Sequence, residues 1–255
     1  MNLSDIKNHA LKVRDFVLDL IFPIECVYCG CENYWLCPEC LTKLEYGRNQ
    51  YCLECKTVNN LGNFCQNCQD KYFIDGVLIA GNYDNPLFNK LIKNMKYYFV
   101  KDIAVILGNY LSKFLQNKIQ ERSFLNNIFN KQDSDIFNKQ DILIIPVPLY
   151  SRRLRWRGFN QAEEMAKIVA KNSNYEIDNN SLVRTKNKKA QAKLDEKQRR
   201  KNIENCFSWN GENLKNKNII LLDDVVTTGA TLNECAKILK QNGAHRVWGL
   251  VVVKG

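Results

Sequence analysis

The sequence predicts an α/β protein in which a mostly parallel sheet is flanked by helices, with a small cysteine-rich module before it. From residue 76 onward, short apolar runs alternate with longer stretches of helical periodicity, as expected for parallel strands joined by helices. Residues 23–75 instead hold four C-x-x-C pairs and few apolar runs, which indicates a module stapled by metal. We therefore expect a helix over 1–22, the module over 23–75 and the α/β domain over 76–255.

The first 22 residues have the spacing of an amphipathic helix. Charged residues interrupt them and no small-residue cleavage site follows, so a targeting signal is disfavoured. We expect the helix to pack on the body of the protein, and a membrane-surface role is the alternative. Since no apolar run approaches the roughly 18 residues that span a bilayer, we expect no stable membrane insertion and a cytoplasmic location.

The paired cysteines form two quartets, spaced C-x2-C-x7-C-x2-C and C-x2-C-x9-C-x2-C. In a reducing compartment such pairs indicate metal rather than disulfides. Four thiolates suit a structural Zn²⁺ with no open position, so we predict a double zinc-ribbon module with two such ions; an iron–sulfur cluster is the rival. Spacing permits sequential or cross-braced pairing, and we favour sequential. The predicted ligands are Cys26, Cys29, Cys37 and Cys40, then Cys52, Cys55, Cys65 and Cys68.

Three further cysteines, Cys31, Cys206 and Cys235, fall outside this pattern, and we predict that they are not ligands. The module is a poor match for phosphate, because residues 22–75 hold four Lys or Arg and seven Asp or Glu. Its aromatic residues, such as Tyr34 and Trp35, either stack on bases or fill a small core.

The α/β domain is predicted element by element from its apolar periodicity. Strands are expected over 76–83, 142–148, 219–222 and 247–253, and helices over 86–96, 102–119, 161–172 and 229–243. The segment IFNKQD occurs twice between residues 128 and 141, and we interpret it as an expanded loop without assigning it a function.

The stretch IILLDDVVTTGATL (219–232) carries the most specific chemistry in the chain. A buried strand places Asp223 and Asp224 at its carboxyl end, the edge where α/β sheets bind ligands. Small residues and hydroxyls then open a helix, whose free N–H groups favour a phosphate. Carboxylates beside a phosphate loop fit a ribose 5-phosphate, whose hydroxyls would face the acids.

Other interpretations of this stretch are weaker. A Walker loop needs Gly-Lys-Ser/Thr and a dinucleotide fingerprint needs G-x-G-x-x-G, and neither run occurs here. A purely structural role is strained, because two adjacent carboxylates at a buried edge repel each other.

This stretch resembles the phosphoribosyl pyrophosphate (PRPP) loop of type I phosphoribosyltransferases. The resemblance implies that Asp223 and Asp224 hold the ribose hydroxyls, together with Mg²⁺ bound to PRPP. It also implies that the 5-phosphate lies against Thr227, Thr228, Gly229, Ala230 and Thr231.

Two further stretches resemble the ComF family of competence proteins, in which a cysteine module precedes a phosphoribosyltransferase-like domain. The first is PVPLYSRRLRWRGFNQAEEMA (146–166), with Gly158, Phe159, Asn160 and Gln161 in its motif. The second is RTKNKKAQAKLDEKQRRKN (184–202), with Gln191, Leu194, Arg199 and Asn202 at matching places. The resemblance covers nearly the whole chain, but the duplicated segment is not part of it.

The formal net charge is +10, and residues 151–201 carry fifteen Lys or Arg against six Asp or Glu. Arginines at 152, 153, 155 and 157 suit bidentate phosphate binding, and we assign Arg152, Arg153 and Arg157 to the pyrophosphate. The alternative is a solvated or DNA-facing surface. Asn160 is predicted to cap a helix with Glu163. The resemblance to phosphoribosyltransferases implies that residues 186–201 form a mobile loop that closes over the substrate. Tyr83, Lys93 and Lys96 are weaker candidates near the opening.

Two functions remain open from the sequence, and we favour the first. The chain is either a phosphoribosyltransferase with an unknown acceptor or a non-catalytic protein that binds single-stranded DNA and senses a phosphorylated ribose. The resemblance implies a role in natural transformation, beside a helicase-like partner. A scaffold that only docks a partner is a third reading, which the phosphate-loop chemistry argues against.

Overall fold

The computed structural model describes residues 23–47, 49–82, 84–120, 141–186 and 202–255. The chain divides into two compact units, residues 1–44 and 45–255. The second cysteine quartet therefore belongs to the unit that contains the sheet, whereas the sequence suggested one module over 23–75. Outside the described residues lie the predicted helix over 1–22, almost all of the duplicated segment and of the predicted mobile loop, and Tyr83, Gln191, Leu194 and Arg199.

The strands of the described residues form one parallel sheet and two small hairpins. In chain order they are β1 (Gln50–Tyr51), β2 (Val58–Asn59), β3 (Gly76–Ile79), β4 (Ile142–Pro146), β5 (Glu176–Ile177), β6 (Leu182–Arg184), β7 (Phe207–Trp209), β8 (Asn218–Val226) and β9 (Arg246–Lys254). The five-stranded sheet has the order β3-β9-β8-β4-β5, and every neighbouring pair is parallel. β1 pairs with β2, and β6 with β7, in antiparallel fashion. The predicted mostly parallel sheet is confirmed.

Helices connect these strands. They are α1 (Pro38–Leu41), α2 (Pro86–Tyr97), α3 (Asp102–Gln120), α4 (Ser151–Arg157), α5 (Gln161–Ser173) and α6 (Ala230–Gln241), with a 3-10 turn at Gln69–Lys71. α2 begins where the sequence predicts, because Asn85 accepts a hydrogen bond from the Leu87 amide and Pro86 occupies the first helical position. The predicted helices over 86–96, 102–119 and 161–172 agree with α2, α3 and α5 to within one residue.

The core of the second unit lies against the sheet. One face packs residues such as Ile145, Leu221 and Val251 against Leu232 and Leu239 of α6. Side chains alternate across a strand, so the intervening residues face the opposite side, where α3 and α5 pack. Both faces of the sheet are thus covered, as a parallel sheet requires.

Three local features differ from the sequence prediction. β8 continues through both aspartates to Val226, because residues 223–226 still pair with β9. The arginine-rich run, for which no element was predicted, forms the helix α4, which ends at Gly158 in a left-handed conformation. The β6–β7 hairpin was also missed, because its short strands are far apart in sequence and their pairing is not a local property.

A buried side chain completes the edge of the sheet at β3. The Gln50 amide donates to the Ile79 carbonyl and accepts from the Ile79 amide, both at 2.9 Å. Gln50 thus supplies the pair of hydrogen bonds that a further strand would supply. This contact fixes the start of the β1–β2 hairpin, and with it the second cysteine quartet, to the sheet.

Candidate functional site

The two aspartates lie near the end of β8, which is flanked by strands on both sides. Asp223 pairs with Val251 in the ladder between β8 and β9, and its Oδ1 accepts a hydrogen bond from the Asp224 amide at 2.8 Å. The Asp224 side chain points to the other face and is almost buried, at 6% residue exposure. Its Oδ1 lies 2.8 Å from Nζ of Lys96, near the end of α2.

The charge of this pair is only partly compensated. Burial and the neighbouring charge of Asp224 raise the pKa of Asp223 to about 7, against the smaller opposing effect of Lys96. A carboxyl group with such a pKa takes up or releases a proton near neutral pH. The site is therefore suited to a ligand that brings positive charge or hydroxyl donors to the acids.

Basic side chains from three elements face the aspartates. Arg157, at the end of α4, donates from Nη1 to Oε1 of Gln161 at 2.9 Å. Burial lowers the pKa of Arg157, and the charges of Asp224 and Asp223 oppose that effect, so the guanidinium lies within electrostatic range of both acids. Burial and Arg153 lower the pKa of Arg184 on β6, and the charges of Cys206, Cys235 and, least of the three, Asp223 oppose them.

Several donors around the acids are buried without a partner. Within the described ranges, the Nε atoms of Arg157 and Arg184 and the Nε2 atom of Gln161 have no hydrogen-bond acceptor. Gln161 is only 2% exposed. Unsatisfied buried donors are costly in folded proteins, and an anionic, oxygen-rich ligand beside the acids would satisfy these three. Similar orphan donors also occur elsewhere in the described residues, at Arg246 and Trp248.

The candidate phosphate loop follows β8 directly. Gly229 has φ +76° and is the N-cap of α6, a backbone conformation that favours glycine. It offers no capping side chain, so the first amides of α6 face the loop beside the hydroxyls of Thr227, Thr228 and Thr231. The Ala230 amide makes one long hydrogen bond, 3.4 Å, to Thr228 Oγ1. This arrangement suits a phosphate at a helix N-terminus.

The second cysteine quartet supports this loop. A Cβ atom at Gly229 would lie 2.5 Å from Cδ2 of Leu53, a residue within the Cys52–Cys55 knuckle. On the other side, Asn233 in the first turn of α6 accepts hydrogen bonds from the Phe73 and Ile74 amides at 2.7 and 3.3 Å. The segment that carries the second quartet therefore touches both the loop and the helix that begins there.

The cysteines of each quartet lie close together, in the sequential pairing that the sequence favoured. In the second, the sulfurs of Cys52, Cys55, Cys65 and Cys68 all lie within 4.8 Å of one another. In the first, the backbone amides of Cys37 and Cys40 point at the sulfurs of Cys26 and Cys37, at 3.5 and 3.4 Å. Four converging sulfurs in each cluster fit a tetrahedral Zn²⁺, so both clusters could hold a structural ion.

Cys31 lies within the first cluster, although the sequence predicted that it is a bystander. Its sulfur lies within 4.8 Å of those of Cys26, Cys29 and Cys37. The Cys40 thiol also interacts with Cys37, Cys29 and Cys26. Five thiols therefore surround a site that a tetrahedral ion would fill with four. The fifth thiol was not predicted as a ligand, because the C-x-x-C pattern identifies the two cysteines of a knuckle and not a cysteine that the following turn places close to them.

The other predicted site residues have different surroundings. Arg152 is exposed on α4, and Gly158 ends that helix. Asn160 caps α5 as predicted and also donates to the Val147 carbonyl, but Glu163 pairs with Lys167 rather than completing a capping box. Phe159 is half-buried beside this cap.

Arg184 was not among the predicted site residues, because no local pattern distinguishes it from the neighbouring lysines.

A cavity of about 660 Å³ opens at the carboxyl ends of β3 and β9. It does not include the acidic pair. Glu45 and Asp84 contribute carboxylates to its wall, and Tyr46 and Tyr51 contribute rings. Two carboxylates beside the one lysine of this lining, Lys254, disfavour a phosphate there.

Comparison with protein families agrees with this geometry. Residues 154–255 match the phosphoribosyl transferase domain, a region that spans α5, β8, the loop and α6. Among the described residues, no helix is both long and apolar enough to cross a membrane.

Several bacterial relatives are similar over much of the chain. Competence protein F of Haemophilus influenzae is 28% identical over 239 residues, which cover 90% of this chain and 97% of that protein. Competence protein ComFC of Bacillus subtilis is 27% identical over 214 residues, covering 82% and 79%. DNA utilization protein YhgH of Escherichia coli O157:H7 is 36% identical over 109 residues, covering 42% and 48%.

The raised pKa of Asp223 predicts a dependence of stability on pH. Its folded value of about 7 lies above the value of about 4 expected in the unfolded chain. Between these values the folded state holds a proton that the unfolded state has released, so stability falls as pH rises. The variant Asp223→Asn removes this penalty. We expect its stability advantage over the native chain, measured by urea unfolding, to grow from about pH 4 to about pH 7 and then to level off.

Asp178 provides a control of opposite sign. Burial acts to raise its pKa, but hydrogen bonds from Ser181 and Asn180 outweigh burial and lower it. Asp178→Asn should therefore destabilise the chain above the pKa of the unfolded carboxyl group and lose this effect in acid. If both variants changed stability in the same direction with pH, the assignment at Asp223 would be wrong.

The five thiols of the first cluster predict ligand redundancy. Cys31→Ser and Cys40→Ser should each leave four sulfurs for the metal, whereas the double variant leaves three. We expect the absorption bands of the Co²⁺-loaded protein to keep their tetrathiolate form in each single variant and to change in the double variant. A single Cys40→Ser change that alone altered the bands would instead assign Cys31 as a bystander.

Proposed function

Because the chain belongs to the ComF family of competence proteins, we propose that it binds PRPP with Mg²⁺ at the loop after β8 and takes part in handling incoming DNA during natural transformation. The observation that carries the first part is that Arg157 interacts electrostatically with both Asp223 and Asp224, and Arg184 with Asp223, while both arginines keep a buried Nε donor without a partner. The second part is supported by relatives that are named competence and DNA utilization proteins.

In this proposal the loop after β8 binds the 5-phosphate of the ligand, and the two aspartates bind its ribose. The 5-phosphate accepts hydrogen bonds from the amides and hydroxyls of residues 227–231, at the positive end of α6. The 2- and 3-hydroxyls of the ribose donate to Asp223 and Asp224, and Lys96 gives up its contact with Asp224. Asp223 and Asp224 would hold Mg²⁺ with the ligand, and the ion would supply positive charge that stabilises the pyrophosphate.

A transfer reaction would use the same contacts. As the bond between C1 of the ribose and the pyrophosphate oxygen breaks, its electron pair leaves with the pyrophosphate, and an acceptor atom donates a pair to C1. Negative charge then grows on the leaving group, where Arg153, Arg157 and Arg184 stabilise it. Asp223 and Asp224 keep the ribose in place and oppose the positive charge that develops on its ring. The acceptor is left open in this proposal.

A second candidate is a non-catalytic DNA-binding protein that senses PRPP or a related phosphorylated ribose. It is favoured by the four arginines of α4, which the phosphate site does not use in full. The basic balance of residues 151–201 suits a nucleic acid backbone. In this case the protein would act in the cytoplasm beside a helicase-like partner, where reduced cysteines hold Zn²⁺. Release of pyrophosphate that depends on an added acceptor distinguishes the first candidate from the second.

PRPP binding provides the first test. Isothermal titration calorimetry with Mg²⁺ should show binding to the native, zinc-loaded chain. In Asp223→Asn/Asp224→Asn we expect roughly hundredfold weaker binding or more, because two charge-assisted hydrogen bonds to the ribose are weakened.

Asp178→Asn is a matched control, since it removes one carboxylate outside the site, and its affinity should equal that of the native chain. Native protein that does not bind PRPP would exclude both the transfer and the sensing role. Equal binding by the double variant would place the ligand elsewhere.

The contact between Leu53 and Gly229 predicts that metal at the second cluster supports the phosphate loop. Cys55→Ser should weaken PRPP binding about tenfold, because a loosened knuckle no longer fixes the loop in its binding conformation. Leu53→Ala, with all ligands retained, should weaken it in the same direction.

Cys31→Ser/Cys40→Ser is the matched control, because it leaves three thiols in the first cluster, which belongs to the other compact unit. Its PRPP affinity should stay within about twofold of native. Zinc content is measured alongside. Equal losses of affinity in Cys31→Ser/Cys40→Ser and in Cys55→Ser would show a general effect of unfolding instead.

A further inference from the structure

Aromatic side chains are exposed together at the end of α2 and on α4. They are Tyr97, Tyr98, Phe99 and Trp156, which we call the aromatic surface. Tyr98 and Trp156 are 63% and 60% exposed. The rings of Phe99 and Trp156 meet edge to face with centroids 5.1 Å apart, which joins the two elements. Single exposed apolar residues are ordinary, but a contiguous group of large rings marks an interaction site.

The backbone is strained where this surface forms. Phe99 has φ +59°, a left-handed conformation that is unusual for a bulky residue. The strained turn brings Phe99 against Trp156 rather than into the core, and Phe99 remains 40% exposed. Such outliers persist where the surrounding structure has a use for them.

The charge around the rings is strongly positive. α4 contains four arginines and neither Asp nor Glu. Acids of the neighbouring helix are already paired: Glu163 with Lys167, and Glu164 with Lys167 and Lys101. Rings interleaved with arginines suit a ligand that combines flat bases with phosphates.

The aromatic surface begins at the edge of the acidic site. Tyr97 follows Lys96, whose Nζ contacts Asp224. Arg157 follows Trp156 and interacts electrostatically with Tyr97 and with both acids. A ligand lying on the rings would therefore reach the phosphoribose site without leaving this surface.

We propose that the aromatic surface binds single-stranded nucleic acid, with bases stacked on its rings and phosphates against the arginines of α4. Single strands are the occupant because the bases of a duplex are stacked on each other and offer no free faces. A protein partner would pack against the rings, but it would not supply phosphates for the four arginines of α4. The inference deepens the proposed DNA-handling role and rests on it, but it does not require that PRPP binds.

Fluorescence anisotropy of a labelled thymidine oligonucleotide of about 15 nucleotides tests this on the full, zinc-loaded chain. Tyr98→Ala and Trp156→Ala should each weaken binding about tenfold, because each removes a stacking ring. Tyr98→Phe and Trp156→Phe keep a ring and should bind nearly as the native chain does. Phe73→Ala is the matched control, since Phe73 is a 45% exposed ring in the same unit, beside Lys237, and its affinity should not change.

The salt dependence separates stacking from charge. Arg155→Ala removes one phosphate contact and should reduce the slope of log affinity against log salt by about 0.7. The ring variants should leave this slope unchanged while lowering affinity at every salt concentration. A ring variant that only disturbed the fold would also weaken PRPP binding, which is measured in parallel.

Trp156 also gives a direct signal, because the other three tryptophans are buried or half-buried. Bound oligonucleotide should quench the native fluorescence, and most of this quenching should be absent in Trp156→Phe. The inference is overturned if the native chain binds PRPP but no oligonucleotide, if the ring variants bind as tightly as native, or if a duplex of the same length binds equally well. Equal binding of the matching RNA would support the proposal, because single strands of RNA and DNA offer the same base faces for stacking.

Discussion

Two adjacent carboxylates near the end of a central strand repel each other, and the surrounding elements are arranged so that this repulsion is tolerated. Alternation along β8 sends Asp223 and Asp224 to opposite faces of the sheet, which reduces their interaction. Lys96 reaches Asp224 from α2, while Arg157 and Arg184 approach from α4 and β6. Compensation is incomplete, because the pKa of Asp223 remains near 7. This uncompensated charge lowers the stability of the fold, and folded proteins carry such unfavourable interactions at functional sites.

The phosphate loop depends on long-range contacts as much as on its own sequence. Leu53 packs on Gly229 from a cysteine knuckle, and Asn233 holds the Phe73 and Ile74 amides from the first turn of α6. The two cysteine clusters therefore differ in what they can do for the site. The second is built into the unit that carries the loop, whereas the first belongs to the other compact unit. The two clusters have the same kind of cysteine ligands. Their structural consequences differ, because each cluster's effect depends on the residues that its knuckles contact.

Local patterns predicted the sheet and most of the helices, because burial periodicity is encoded over a few neighbouring positions. The same patterns stopped β8 too early: a polar residue looks like the end of a strand until the pairing of Asp223 with Val251 is known. Arg184 and Cys31 were missed for a related reason. Their importance comes from residues brought beside them by the fold, and the sequence around each gives no sign of those neighbours. Lys96 was named only as a weak candidate, since its contact with Asp224 joins positions far apart in the chain.

The ion pair between Lys96 and Asp224 affects how a ligand can bind at the acids. While Lys96 holds Asp224, a ligand must displace an ammonium group before its hydroxyls can reach that carboxylate, so part of the binding free energy is used to break an ion pair. A released Lys96 stays close to the site, where it can pair with phosphate, and it directly precedes the exposed rings of Tyr97–Phe99 in the chain. The proposed phosphoribose site fits both a transferase and a sensor, and the difference between them lies in whether an acceptor atom is held against C1 of the ribose.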